Sequence, residues 1–114
     1  MLATLILLMA SASPSDASLA PIERKTVSLE LANVLASEAI ASCKAIGKNA
    51  VVAVVDRGGN LVALQRGDDV GPHNTLAAQR KAFTALSTKN STSALAALAM
   101  SDPSSRNLTT IPEL

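Results

Sequence analysis

The sequence has no tryptophan and no tyrosine, and Phe83 is its one aromatic residue. A core must therefore come from Ala, Leu, Val and Ile. Each alanine removes little apolar area from water, so such a core is weak for its length. Self-association is the usual supplement for a small scaffold of this kind. One cysteine, Cys43, excludes an internal disulfide. It sits in an apolar helical pattern and reads as a small buried hydrophobe, with a thiolate ligand or an intermolecular disulfide as alternatives. One histidine, His73, excludes a multi-histidine zinc site. Neither sign of charge is in excess, with 10 basic and 9 acidic residues and a net charge of +1. There is no basic stripe interleaved with aromatics, which excludes the usual footprint of nucleic-acid binding. The sequence has no Gly-x-Ser-x-Gly elbow, no Walker motif and no Cys-x-x-Cys pair.

What is present is an apolar composition of 48%, too high for a disordered chain. Residues 1–20 open with the apolar run Met1 to Met9, followed by small and polar residues. The run is too short to span a bilayer but suits the apolar region of a secretory signal. Small residues at the cleavage positions occur in Ala10-Ser11-Ala12 and Ser15-Asp16-Ala17. Ser18-Leu19-Ala20 is followed directly by Pro21, which disfavours a cut there. No Lys or Arg precedes the run, which is atypical of a signal; a buried strand or helix is the alternative. The expectation is a signal peptide over 1–20, a periplasmic or extracellular protein, and no stable membrane span once the signal is removed.

From Thr26 to Ile46, apolar residues recur at Val27, Leu31, Val34, Leu35, Ala39, Cys43 and Ile46, the spacing of one helix face. Thr26 or Ser28 can cap the start, Glu30 suits the first turn, and Gly47 suits the end. Asn49 to Asp56 is a β-branched run that reads as a buried strand. Arg57-Gly58-Gly59-Asn60 is a tight turn, and Leu61 to Gln65 is the returning strand of an antiparallel hairpin. The turn needs these residue types for reversal alone, and a phosphate-binding reading has no support. After a charged loop over Arg66 to Gly71, Pro72 suits the first turn of a second helix running from about His73 to Leu86. Thr88 to Thr92 is a polar break and Ser93 to Met100 a short helix. Ser104 to Leu114 shows no strong periodicity. The fold class is α/β in the α+β sense: an antiparallel sheet flanked by helices in α-β-β-α order, an incomplete sandwich, because two strands alone make a poor sheet.

The strand–turn–strand VVDRGGNLVALQR from Val54 to Arg66, the following KAFTA segment and the VGPHN stretch resemble the GlcG/HbpS-like family, often labelled haem-binding or haem-degrading. The similarity covers roughly residues 24–112, within a domain placed at 21–114. The resemblance implies a small α/β sandwich and a homo-oligomer. Members have been associated with haem, while others sit beside glycolate metabolism genes without a defined activity. After Ile111-Pro112 the family pattern continues into further strands and a final helix. The end at Leu114 therefore implies that only the N-terminal part of the domain is present, either as a truncated product or as a chain whose sheet a second polypeptide completes.

On this footing His73 is the candidate haem or metal ligand, at a loop–helix junction; the bland alternative is an exposed helix-start residue. Arg80 and Lys81 are candidates for pairing with haem propionates, or else form a basic solvent face. Helical spacing puts His73, Ala77 and Arg80 or Lys81 near one face. Thr84, one turn after Arg80, offers a hydroxyl as a candidate oxygen contact. Asp68 and Asp69 could bind a hard cation, or lie solvated in their loop. The implied function is an exported haem- or small-ligand-binding protein of the GlcG/HbpS type, with haem as the implied cofactor and degradation left open. The alternatives are a non-catalytic interaction module that completes its sheet with a partner chain, and a fragment with no stable fold.

Overall fold

The computed structural model describes residues 19–110. The predicted export segment lies outside these residues except for Leu19 and Ala20. In chain order the elements are α1 (Leu29–Ala45), β1 (Val51–Val55), β2 (Leu61–Arg66), α2 (His73–Thr88), α3 (Thr92–Ser101) and a 3-10 helix over Pro103–Thr110. This is the α-β-β-α order read from the sequence, and the sheet of the described residues is one open two-stranded antiparallel pair.

Of the two candidate caps for α1, Ser28 is the one used: its Oγ accepts a hydrogen bond from the Leu31 N–H at 3.1 Å. Thr26 instead accepts from the Arg57 N–H at 3.2 Å, tying the approach segment to the hairpin turn. The C-terminal end closes on Gly47, at φ +71°. The Gly47 N–H donates to the Lys44 carbonyl and the Lys48 N–H to the Cys43 carbonyl, both at 3.0 Å. That pair of bonds satisfies carbonyls the helix itself leaves open.

The inward face of α1 differs from the expected one. Ala32 and Ala36 are fully buried, whereas Leu31, Val34 and Leu35 are each about half exposed at 50%, 53% and 49%. Ile46 is exposed, and Ala39 and Cys43 are partly covered. Apolar residues surround this helix on more than one side, so spacing does not select a face. The alanine side wins because methyl groups let the helix lie close to the sheet. That approach brings the Gln65 side chain to Ser37 Oγ at 3.0 Å and to the Asn33 carbonyl at 3.3 Å.

The hairpin pairs Val51 with Arg66, Val52 with Gln65, Ala53 with Leu64 and Val54 with Ala63. A bulge follows, and Val55 pairs with Leu61, leaving Val62 as the extra residue. Asp56 builds the turn. Its Oδ1 accepts from the Gly58 N–H at 2.8 Å and the Asn60 N–H at 2.9 Å, and its Oδ2 accepts from Asn60 Nδ2 at 3.0 Å. These donors, the Asn60 side chain foremost, hold the Asp56 carboxyl below its ordinary pKa. Gly59 takes φ +86°, the left-handed residue that a three-residue hairpin loop requires.

Side chains alternate across the strands, so Val52, Val54, Ala63 and Gln65 share the face that α1 covers. α2 packs along β1 on the side of Val51 and Val55. It follows Pro72 directly and ends at Lys89, which takes φ +59°. Ser91 caps α3, accepting from the Ala94 N–H at 3.2 Å. The tail, in which the sequence shows no strong periodicity, forms a 3-10 helix from Pro103 to Thr110. Local side-chain bonds launch it: the Ser104 and Ser105 hydroxyls donate to Asp102 Oδ2 at 2.6 and 2.7 Å. Those hydroxyls, Ser104 first, hold Asp102 below its ordinary pKa.

Candidate functional site

α2 carries four of the candidate residues, His73, Arg80, Lys81 and Thr84. His73 is its first residue and is exposed. The turn before it is fixed by Asn74, whose N–H and Nδ2 both donate to the Gly71 carbonyl, at 3.0 and 3.2 Å. Gly71 also makes room for the imidazole: a Cβ at that position would lie 3.2 Å from His73 Cε1 and 3.4 Å from Nδ1. Among the described residues the imidazole has no hydrogen-bond partner, so both ring nitrogens are available.

His73, Leu76, Ala77, Arg80 and Lys81 line one open groove of about 400 Å³. The helical spacing therefore brings together the ligand candidate and the cation candidates. Seven or eight residues separate His73 from Arg80 and Lys81, roughly 10–12 Å along the helix axis. The floor between them is apolar, Leu76 and Ala77. An imidazole at one end, an apolar strip and two cations at the other match in kind what a haem presents: an iron, a porphyrin face and anionic propionates. The groove is shallow and open, so a flat ligand would lie on the helix with one face uncovered by this chain.

Thr84 is placed differently from the rest of the set. It is buried, at 1% exposure, and does not line the His73 groove. It belongs to a neighbouring cavity of about 190 Å³ between α2, α3 and the 3-10 helix. Arg80 and Lys81 border both spaces. The α3 and 3-10 walls of this second cavity, Leu95, Ala99 and Leu108 among them, were missed by sequence reasoning. The only local signal for them was the apolar Ala/Leu run of α3.

Asp68 and Asp69 are exposed in their loop, with Asp69 at φ +56°. Asp68 lines a small depression with Lys44 and Lys48, which would oppose a cation there. No group of three or more His, Cys, Asp or Glu side chains suited to a metal ion occurs among the described residues. No helix among the described residues is long and apolar enough to cross a membrane.

Residues 27–113 match a family model described as haem degrading protein HbpS-like. The crystal structure of HbpS is similar to the fold with a TM-score of 0.73 and 35% identity, the match covering 91% of this chain and 69% of that one. A double mutant of HbpS from Streptomyces reticuli gives a TM-score of 0.74 and 34% identity, covering 93% of this chain and 69% of that one. Among curated proteins, a search finds no match.

Proposed function

The chain belongs to the HbpS-like haem-degrading family, and from that membership we propose that it binds haem in the groove along α2, as an exported protein. The observation that carries the reading is the shared groove of His73, Leu76, Ala77, Arg80 and Lys81. His73 would hold the group at the iron through an imidazole nitrogen. Arg80 and Lys81 would pair with the propionates, and Leu76 and Ala77 would cover part of the porphyrin face. Thr84 is reassigned from direct contact to support, since it is buried beneath the helix surface and its backbone carbonyl accepts from Thr88 Oγ1 at 2.8 Å. Bound haem would supply the redox chemistry that haem degradation needs; the chain's part is to position and shield it.

The test is a haemin titration of the purified protein, read at the Soret band. Wild type should give a saturable shift from the free-haemin spectrum. His73→Ala should change the band position, and Arg80→Gln with Lys81→Gln should weaken binding by roughly tenfold. A free-haemin spectrum throughout, or an identical shift for His73→Ala, overturns the ligand assignment. Export is tested by sequencing the N-terminus of protein recovered outside the cytoplasm, which should begin after residue 12 or 17.

A second reading, an interaction module whose sheet is completed by another chain, is favoured by the open edges of the β1–β2 pair. It is compatible with haem binding, because a second chain could also cover the exposed side of the groove.

A further inference from the structure

We propose that the cavity between α2, α3 and the 3-10 helix is a separate binding site for a carboxylate with a short apolar tail. Its volume of about 190 Å³ gives room for roughly six water-sized groups. That suits an acid of about four to six carbons and excludes haem. Leu95, Ala96, Ala99 and Leu108 make its walls apolar, while Arg80 and Lys81 border it with exposed cationic heads.

Charge decides the class of ligand. No acidic residue occurs between Asp69 and Asp102. Neither Arg80 nor Lys81 forms an ion pair among the described residues. Among the described residues the acid nearest in sequence to the cavity lining is Asp102, between Ala99 and Leu108, and its carboxylate is turned to the Ser104 and Ser105 hydroxyls. One anionic head can therefore sit against the cations while its tail enters the apolar interior. A second charge on the ligand would have to be buried against Leu95 and Leu108, which is costly. A hydrated inorganic anion gains nothing from those walls. Because both cations also border the His73 groove, a bound acid would compete with haem propionates for them.

The experiment titrates the full, ¹⁵N-labelled chain without haem, using butanoate, hexanoate, hexanol, succinate and inorganic phosphate as probes. Hexanoate should give saturable amide shifts centred on Leu95, Ala99 and Leu108. Hexanol, succinate and phosphate should each bind at least about tenfold more weakly. Ala96→Leu places bulk in the cavity from an exposed position and should abolish the hexanoate shifts in a protein whose spectrum remains dispersed. No saturable shift with either acid, equal binding of hexanol, or unchanged hexanoate binding in Ala96→Leu would each overturn the proposal. The assay contains no haem, so its failure is distinct from failure of the haem groove.

Discussion

At Gly59 two separate demands fall on one atom that is not there. The backbone takes φ +86°, and a Cβ would lie 2.8 Å from Phe83 Cε2 and 3.0 Å from Cδ2. Gly47 shares only the first demand, with φ +71° and nothing within 4 Å of the place a Cβ would take. Gly47→Ala should therefore cost about 1 kcal/mol, the left-handed backbone penalty alone. Gly59→Ala should cost about 2–4 kcal/mol, since the ring contact is added to that penalty. Urea denaturation measures both. In a Phe83→Leu background the cost at position 59 should fall toward that at position 47, and a cost unchanged by the ring's removal would refute the contact.

Asp56 is the other residue on which the hairpin turns, and its effect depends on pH. Its carboxyl is held below its ordinary pKa by the Asn60 side chain and by turn N–H groups. In the unfolded chain that restraint is gone, so between the two values the unfolded state binds more protons and stability rises with pH. The stabilisation is complete above about pH 5, where the unfolded carboxyl is also ionised, and is lost as pH falls through the lowered native value. Asp102 acts with the same sign, through Ser104 and Ser105. Asp56→Asn should flatten the acid limb of a stability–pH curve, and Asp56→Asn with Asp102→Asn should flatten it further. An acid limb with the wild-type slope in the double variant would assign acid sensitivity elsewhere.

At the scale of elements, α1 shows what periodicity can and cannot deliver. Its existence and its Gly47 stop were legible, and its cap was narrowed to Thr26 or Ser28, because each is a local interaction written in neighbouring residues. Which side faces the sheet was not legible, because Leu31, Val34 and Leu35 compete with Ala32 and Ala36 on a helix that is apolar on both sides. Close approach to Gln65 settles it. Ala36→Leu should thus cost about 1–3 kcal/mol by overpacking, whereas Val34→Lys should stay within about 0.5 kcal/mol of wild type. Thermal or urea unfolding of the two variants checks the assignment, and the reverse order would turn the helix over. The candidate site divides in the same way. His73, Ala77, Arg80 and Lys81 could be grouped from the sequence because one helix carries them at turn spacing. The cavity beside Thr84 could not, because its walls come from α3 and from a 3-10 helix whose start depends on the Asp102–Ser104–Ser105 bonds.

At the scale of the whole molecule the sheet makes the largest unmet demand, since a lone two-stranded hairpin is marginal in water. The Gly67 N–H bonds to the Ala50 carbonyl, and alternation from that pair makes Val52–Gln65 and Val54–Ala63 the hydrogen-bonded pairs. Val51 and Ala53 then turn their N–H groups to the outer edge of β1, and Leu64 and Arg66 turn theirs to the outer edge of β2. The two edges are unequal. β2 carries the bulge at Val62 and the charge of Arg66, both of which discourage pairing. β1 carries no charge within Val51–Val55 and is the edge fitted to accept another strand. If a second copy supplies that strand, the unfolding midpoint should rise with protein concentration, as mass action requires. Hydrogen exchange should locate the change. The Val52 and Gln65 amides should be protected at every concentration, those of Val51 and Ala53 only at high concentration, and those of Leu64 and Arg66 at none. A concentration-independent midpoint together with unprotected Val51 and Ala53 amides would show that copies of this chain do not pair through β1.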